Sequence, residues 1–390
     1  MATYKNMTNT KFDFIIIGAG ASGLFAAARA TRAHKSVCVL DMGENPARRV
    51  AVSGGGKCNF TNMHADASHY FGQNPNFTRS ALARFTPADM VNWVKSHKIT
   101  VYEKTPGQFF ADDAKHIINA LLSDAYGAKI FQNTTVTAVE KSNESFIITT
   151  KDNQKFTSQK LIVATGGISY ADLGISDIGY KIAKQFGHKI IPIRPGLCGI
   201  KTKIFDATLS GISIPVEITI GREKIFDDML FTHFGLGGPA IYRATVRDCA
   251  NGFTINLIPN IDAYDWLRWQ KNKNGRKQLK TILATKLPNK LAEFLTNDTR
   301  NIADIRDSEL RQLATRIQNI KLNADDFSLF GFAGAEVTRG GIDTSQISSK
   351  TMESKLCPGL YFIGECIDIA GDLGGYNLQW AWCSANAVDI

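Results

Sequence analysis

Two periodicities alternate along this chain, and their order predicts the fold. Residues 12–17 (FDFIII) are an unbroken apolar run of strand length, as expected for a strand buried on both faces. The run leads directly into Gly18-Ala-Gly20-Ala-Ser22-Gly23. LFAAARATRA then has the apolar density of a packed helix, and SVCVL is a second short strand that ends at Asp41. Strand, glycine turn, helix and strand make one complete βαβ unit. The stretch Ser53–Asn62 (SGGGKCNFTN) is too rich in glycine for helix or strand. Residues 78–97 and 113–126 space their apolar positions by three and four, which predicts helices. Residues 134–164 read as a β-meander returning to a buried strand, Leu161–Ala164, closed by Thr165-Gly166-Gly167.

From about Gly196 to Pro259 the pattern changes to short strands separated by turns. Residues 262–320 are helical in character, and 327–342 return as strand-like sequence. A last strand, LYFIGE (360–365), passes through a glycine loop into a helix starting near Gly374. Nucleotide-binding patterns thus stand at both ends of the chain, with different material between them. The expected fold class is α/β: a Rossmann-like nucleotide-binding domain, residues 1–192 and 341–390, interrupted by an insert. The insert has a β-rich part, residues 193–260 and 327–340, and a helical basic part, residues 261–326.

Gly18-x-Gly20-x-x-Gly23 carries the first chemistry. The first glycine permits the tight turn, the second lets the backbone approach a pyrophosphate, and the third allows helix and strand to pack closely. Asp41, at the end of the following strand, is placed to accept hydrogen bonds from the ribose of an adenosine. At the other end, Gly364-Glu365 closes a strand and Gly374-Gly375-Tyr376-Asn377 opens a helix. The acid suits ribityl or ribose hydroxyls, and the helix N-terminus suits the electron-rich N1–O2 edge of a reduced flavin. NAD has no ribityl chain and gives no reason for this second element, so FAD is the expected cofactor. Ser53, Gly54, Gly55, Asn59 and Thr61 can wrap phosphates or line the flavin face. Ser22, Arg49, Val136, Thr165 and Gly166 complete the candidate cofactor set.

Two residues are candidates for proton transfer. Cys58 is either an acid or redox group or an inert packing thiol. His233, in LFTHFGLGGP, is either a proton donor or substrate anchor, or a structural histidine bonded to the backbone. A second G-x-G-x-x-G is absent, so NAD(P)H as electron donor would have to reach the flavin without a domain of its own.

Charge adds a partner. Lys plus Arg is 45 and Asp plus Glu 36, a net charge of +9. Eight basic residues fall between Arg268 and Lys290 with no Asp or Glu among them, and Trp266 and Trp269 stand at the leading edge. Such a stripe suits a polyanion, because each neutralised phosphate releases counterions. Trp266, Trp269, Lys271, Lys273, Arg276 and Lys277 are the candidate RNA contacts; the alternative is a solvated helix face. The seven cysteines are scattered and contain no C-x-x-C pair, which predicts neither disulfides nor a metal site. No apolar run approaches the roughly 20 residues of a membrane span. The opening twenty residues carry only a short apolar run broken by glycine, unlike a secretory leader. The protein reads as cytoplasmic, with no membrane or metal partner.

SGGGKCNFTN, LFTHFGLGGPAI, AEVTRGGIDT and TMESKLCPGLYFIGECIDIAGDLGGYNLQWAW together resemble the BaiN/RdsA (YhiN-type) flavoproteins. The likeness extends to YFGQNPNFTRSALARFT and EKTPGQFF, and so covers essentially the whole chain. It implies a FAD-binding Rossmann-like domain with a β-rich and helical insert. For activity it implies a dihydrouridine synthase acting on 23S ribosomal RNA, a bile-acid reductase or an amine-oxidase-like enzyme. The segments outside the glycine motifs are most similar to the ribosomal RNA type. Lys57 stands where the family usually has Arg, and Gly237 where it usually has Ser. A lysine cannot give arginine's bidentate contact.

The leading expectation is therefore a FAD-dependent oxidoreductase that forms 5,6-dihydrouridine in 23S ribosomal RNA by hydride transfer from reduced flavin. The alternatives are a small-molecule flavoenzyme (enone reductase or amine oxidase) and a non-catalytic FAD-containing RNA-binding factor.

Overall fold

The computed structural model describes residues 11–170 and 173–390. The polar stretch ahead of the first strand, which entered the reading of the N-terminus, lies outside the described residues. The chain divides into two units: Met1–Arg194 with Glu336–Ile390, and Pro195–Ala335.

The first unit is built on a parallel sheet. Lys11–Ile17 lies between Val37–Leu40 and Lys155–Val163, with Ile15 in register with Cys38 on one side and Leu161 on the other. Leu360–Phe362 pairs in parallel with Leu161–Val163, and Lys129–Phe131 adds a parallel strand outside Val37–Leu40. The core of this sheet is apolar and buried at every position over Phe14–Ile17, Val37–Leu40 and Leu161–Val163. Strand Lys155–Val163 changes character along its length. Its first half alternates in burial and pairs antiparallel with Ser145–Thr150, whereas its last three residues are all buried. The meander over 136–163 thus leads from a half-solvated sheet into the buried core. Helix Ala21–Arg32 packs against the terminal helix Tyr376–Ala387, whose Trp380 and Trp382 are fully buried.

The predicted helix over 78–97 is two helices, Arg79–Arg84 and Pro87–Ser96. Proline has no N–H and its ring meets the carbonyl four residues back, so the helix restarts there. Thr86 and Asp89 form a capping box at the restart, and the carboxylate takes the Thr86 N–H at 2.7 Å.

His188 is buried in this unit. Its Nε2 lies 2.7 Å from Ser354 Oγ, Nδ1 has no partner, and the ring stands edge-on to Phe362. Burial pushes its pKa below the ordinary value. The unfolded chain therefore takes up the proton first, and stability falls as pH drops below about 6.5. Each unit of depression is worth about 1.4 kcal/mol. Tm measured from pH 7.5 to pH 5 should decline. His188→Gln should lower Tm overall yet flatten that decline; an unchanged slope in the variant would remove His188 as its source.

The second unit holds a seven-stranded sheet in the order Ile320–Leu322, Phe253–Asn256, Ser213–Ile220, Glu223–Thr232, Gly235–Gly237, Ile200–Thr202, Phe327–Leu329. Helices Ala263–Lys273, Leu279–Leu283, Asn289–Leu295 and Asp307–Gln318 share its core: Ile255 of the sheet belongs to the same cluster as Leu267, Leu283, Leu291 and Ile317. The β-rich and helical parts are therefore one packed body. Both boundaries of the insert differ from the sequence reading. Residues 193–194 and 336–340, assigned there to the β-rich insert, belong to the first unit. All six residues of strand Val337–Ile342 are buried, and the strand pairs with Ile190–Gly196. Among the described residues no helix is long and apolar enough to cross a membrane.

Candidate functional site

The turn after the first strand is shaped by three glycines with different duties. Gly18 has φ +109°, and a Cβ there would lie 2.4 Å from the Ala164 carbonyl oxygen. A Cβ on Gly23 would lie 1.9 Å from the Gly18 carbonyl oxygen. Gly20 is otherwise: its φ is −79° and a Cβ would meet nothing within 4 Å. Neither backbone conformation nor a protein neighbour demands glycine at this position, which leaves close approach of a ligand as the reason. No side chain caps the helix at Gly20, so the first-turn N–H groups and the positive end of the helix dipole suit a pyrophosphate. Ser22 is buried beside Gly364, where an added Cβ would come within 2.7 Å of the serine Oγ.

Asp41 braces this turn. Its carboxylate accepts the Ala19 N–H and the Gly43 N–H, both at 2.7 Å, and Arg48 Nη2 lies 3.4 Å away. Arg48 also donates to the Leu173 carbonyl. The entry to the strand that starts at Val136 lies alongside, since Thr134 N–H donates to the Asp41 carbonyl at 2.8 Å. The Val136 side chain is buried, so any contact it makes to a cofactor is through the backbone.

Arg49 and Glu365 form the second brace. Arg49 Nη1 donates to Glu365 Oε2 at 2.7 Å, and Nη2 reaches the carbonyls of Gly167 and Ser169 at 2.5 and 2.8 Å. Glu365 Oε1 accepts the Thr338 N–H at 2.7 Å and the Ser169 hydroxyl at 3.2 Å. Arg49 also lies against Gly166, where a Cβ would be 2.9 Å from Nη1, and Thr165 packs on Gly179. One ion pair thus ties the loop after the second strand to the Thr165–Ser169 turn, the Val337–Ile342 strand and the C-terminal acid.

The third wall is the glycine loop. Gly54, Gly55 and Gly56 all have left-handed φ, at 58°, 68° and 84°, and Ser53 accepts the Cys58 N–H at 3.0 Å. Asn62 donates to the Gly374 carbonyl at 2.8 Å. Gly375 has φ +91° and sits so close to strand Asn59–Asn62 that a Cβ would be 2.5 Å from the Thr61 carbonyl oxygen. The Asn59 amide lies beside Gln108 and, with its oxygen and nitrogen exchanged, accepts the Gly375 N–H at 3.3 Å. Thr61 turns its hydroxyl inward to Gln379 at 2.6 Å, so its side chain serves the core. Asn377 holds the loop through Gly371, and Tyr376 is buried beneath the stacked ring of His69.

These walls fit FAD, and an orphaned atom supports the fit. The Tyr180 hydroxyl is buried without a partner in the protein, within electrostatic reach of Glu365 and Arg49, and burial raises its phenol above the usual range. A buried donor of this kind costs about 1–3 kcal/mol unless something pairs with it. Arg48, Tyr180 and Thr338 escaped the sequence reading, because neither a lone Tyr inside a helix nor an Arg doublet carries a spacing signature.

The remaining candidates separate. Cys58 is fully buried at a positive φ, and burial pushes its thiol up to about 12. Burial keeps this thiol protonated, which argues against a thiolate and leaves the acid and the packing alternatives both standing. His233 is exposed and belongs to the second unit. So do the candidate RNA contacts. Trp266 is half-buried against the core, Trp269 is 51% exposed, and Lys273 Nζ stands 4.7 Å from the centre of the Trp269 ring. Arg276 and Lys277 are exposed. Lys271 differs from the expectation. Its ammonium donates to the Ile305 carbonyl at 2.6 Å and pairs with Asp307 at 2.9 Å, so it clamps two helices and its charge is locally met.

The fold and this cradle define a FAD-binding oxidoreductase of the Rossmann type. The chain belongs to the HI0933-like family, whose Rossmann-domain model matches residues 12–389. It is 41% identical over 390 residues to the ribosomal RNA dihydrouridine synthase of Escherichia coli (strain K12), covering 96% of each chain. It is 42% identical over 392 residues to the protein of that name from Haemophilus influenzae, covering 96% of this chain and 97% of the relative. Among solved structures it resembles Mycobacterium smegmatis Sdh1, with a TM-score of 0.50 and 14% identity over 98% of this chain and 68% of that one. That last likeness concerns the fold alone.

Proposed function

We propose that this protein reduces a uridine of 23S ribosomal RNA to 5,6-dihydrouridine. The observation that carries this reading is near-full-length identity above 40% to two ribosomal RNA dihydrouridine synthases. The exposed Trp269, Lys273, Arg276 and Lys277 add to it, as polyanion contacts that a small-molecule enzyme has no use for.

The chemistry FAD supplies when bound is hydride delivery from N5 to C6 of the uracil ring, with a proton going to C5. Residues of this chain do the rest. Gly18, Gly20, Ser22 and Gly23 at the helix N-terminus would hold the pyrophosphate. Asp41 and the backbone at Val136 would hold the adenosine, while Arg49, Glu365, Thr165 and Gly166 would face the ribityl region. Ser53, Gly54, Gly55, Asn59 and Thr61 would wrap the flavin with Gly364, Gly374, Gly375, Tyr376 and Asn377. There the terminal helix would offer positive potential to the N1–O2 edge. Cys58 and His233 are the candidate acids for C5. Taking the base out of its stack costs a few kcal/mol, which stacking and phosphate contacts offset. NAD(P)H is the expected donor, acting without a domain of its own.

The test is the dihydrouridine content of 23S ribosomal RNA, by nucleoside mass spectrometry, in cells with and without this protein. Loss of one dihydrouridine, restored by the wild-type gene, is the expected result. An unchanged level would discard RNA reduction in favour of a small-molecule flavoenzyme or a non-catalytic RNA-binding factor.

A further inference from the structure

The second unit carries a groove of its own. Its rim is the turn joining Glu223–Thr232 to Gly235–Gly237, which presents His233 and Phe234. Phe234 is 69% exposed. Single exposed apolar side chains are ordinary, but this one stands on a rigid mount. Gly235 is pressed so tightly on the neighbouring strand that a Cβ would lie 2.2 Å from the Ile200 carbonyl oxygen. Thr202 N–H donates to the Phe234 carbonyl at 3.2 Å. The ring is therefore held out to solvent by a turn that cannot relax to bury it.

Strand Ile200–Thr202 forms the floor. Lys201 is in register with Gly235 on one side and Ser328 on the other, and Lys203 follows at the strand's end. The far wall is Asp325–Ser328, so the groove has an aromatic and imidazole side, a cationic floor and an acidic side. It encloses about 1010 Å³. Of its carboxylates, Asp206 caps a turn through the Thr208 N–H and Asp326 caps another through the Asn323 N–H, both at 2.7 Å. Asp206 and Asp325 are exposed, and Asp326 is half-buried.

We infer that this groove is a subsite for one unpaired nucleotide of the RNA substrate, with its base stacked on Phe234 and its phosphate held by Lys201 and Lys203. The inference rests on the RNA-reducing function proposed for the chain. Every base offers a π-face to an exposed aromatic ring, and unpaired bases are what RNA-binding proteins usually read. The acidic wall rejects a duplex, whose two phosphate rows would have to pass it, while Asp325 can accept from a base N–H. A single splayed nucleotide meets all three surfaces without placing phosphate against carboxylate.

The experiment uses FAD-loaded protein and two probes, a fluorescein-labelled single-stranded hexauridylate and an RNA duplex, read by anisotropy. Wild type should prefer the single strand. Phe234→Ala should weaken hexauridylate binding roughly ten- to a hundredfold, whereas Phe234→Tyr should stay within about threefold. Both variants should keep FAD content and Tm, because the side chain is exposed. Lys201→Glu with Lys203→Glu should weaken the single strand and reduce its salt dependence. Failure of wild type to bind hexauridylate, or equal binding by Phe234→Ala, overturns the subsite. Ribosomal RNA from the same strains separates the two ideas. If wild type forms dihydrouridine and Phe234→Ala forms it equally well, only the subsite falls. If wild type forms none, the proposed function falls.

Discussion

Gly20→Val should give a protein that folds and purifies without its flavin. The local geometry makes the two effects separable. Gly20 has a φ open to any residue, and the space its side chain would enter contains no protein atom within 4 Å. The apo fold should therefore tolerate valine, with Tm and far-UV circular dichroism close to those of wild-type apoprotein. The pyrophosphate must approach the backbone where the valine methyls would stand. We expect FAD affinity to fall at least about a hundredfold, or ~3 kcal/mol, and the 450 nm flavin band to vanish from the purified protein. Gly23→Ala is the control with the opposite signature. Its Cβ would meet the Gly18 carbonyl at 1.9 Å, so it should destabilise the apoprotein itself by about 1–3 kcal/mol. Flavin retention by Gly20→Val would remove this turn from the cofactor site, and with it the main reason to read the unit as a dinucleotide cradle.

The contrast between these glycines also marks what the sequence could disclose. Spacing identified all three, because the strand–turn–helix geometry constrains residue type at fixed intervals. The partners of Glu365 were hidden because Arg49, Ser169 and Thr338 are distant in the chain, and those of Asp41 because they are backbone N–H groups, which carry no sequence signature. Asp41 reads as a ribose acceptor from its position, yet its carboxylate spends two bonds on backbone N–H groups of the turn. Glu365 reads as a ribityl acceptor, yet it is clamped by Arg49, Thr338 and Ser169. Each carboxylate keeps one oxygen with a single bond and spare acceptor capacity, so the roles are compatible, but the bracing had no local signal. Strand Val337–Ile342 illustrates the same limit. Its residues (VTRGGI) look like the end of the insert, and only their complete burial against Ile190–Gly196 assigns them to the first unit. Pro87 is the local mark of the break inside 78–97, and the rule that proline restarts a helix takes precedence over the apolar spacing around it.

Reversing three charges, Lys273→Glu, Arg276→Glu and Lys277→Glu, should abolish ribosomal RNA modification while leaving the flavin bound. The choice of three follows from what each basic residue already does. Lys271 belongs to the same stripe in sequence, but its ammonium holds the Ile305 carbonyl and Asp307. Its replacement would loosen the junction of helices Ala263–Lys273 and Asp307–Gln318 and confuse lost binding with lost folding. Lys273, Arg276 and Lys277 are exposed, so substituting them should cost little stability. Each phosphate contact to a single strand contributes about 0.7 to the slope of log K against log salt, so losing three should reduce that slope by about 2. A contact-free but repulsive surface would lower affinity without changing the A450/A280 ratio of the purified protein. The measurements are RNA binding across a salt series and dihydrouridine in 23S ribosomal RNA from a strain carrying only the variant. Full modification by the triple variant would show that the stripe is a solvated helix face. RNA recognition would then have to reside elsewhere on the chain, with Phe234 and its neighbouring lysines the next surface to alter.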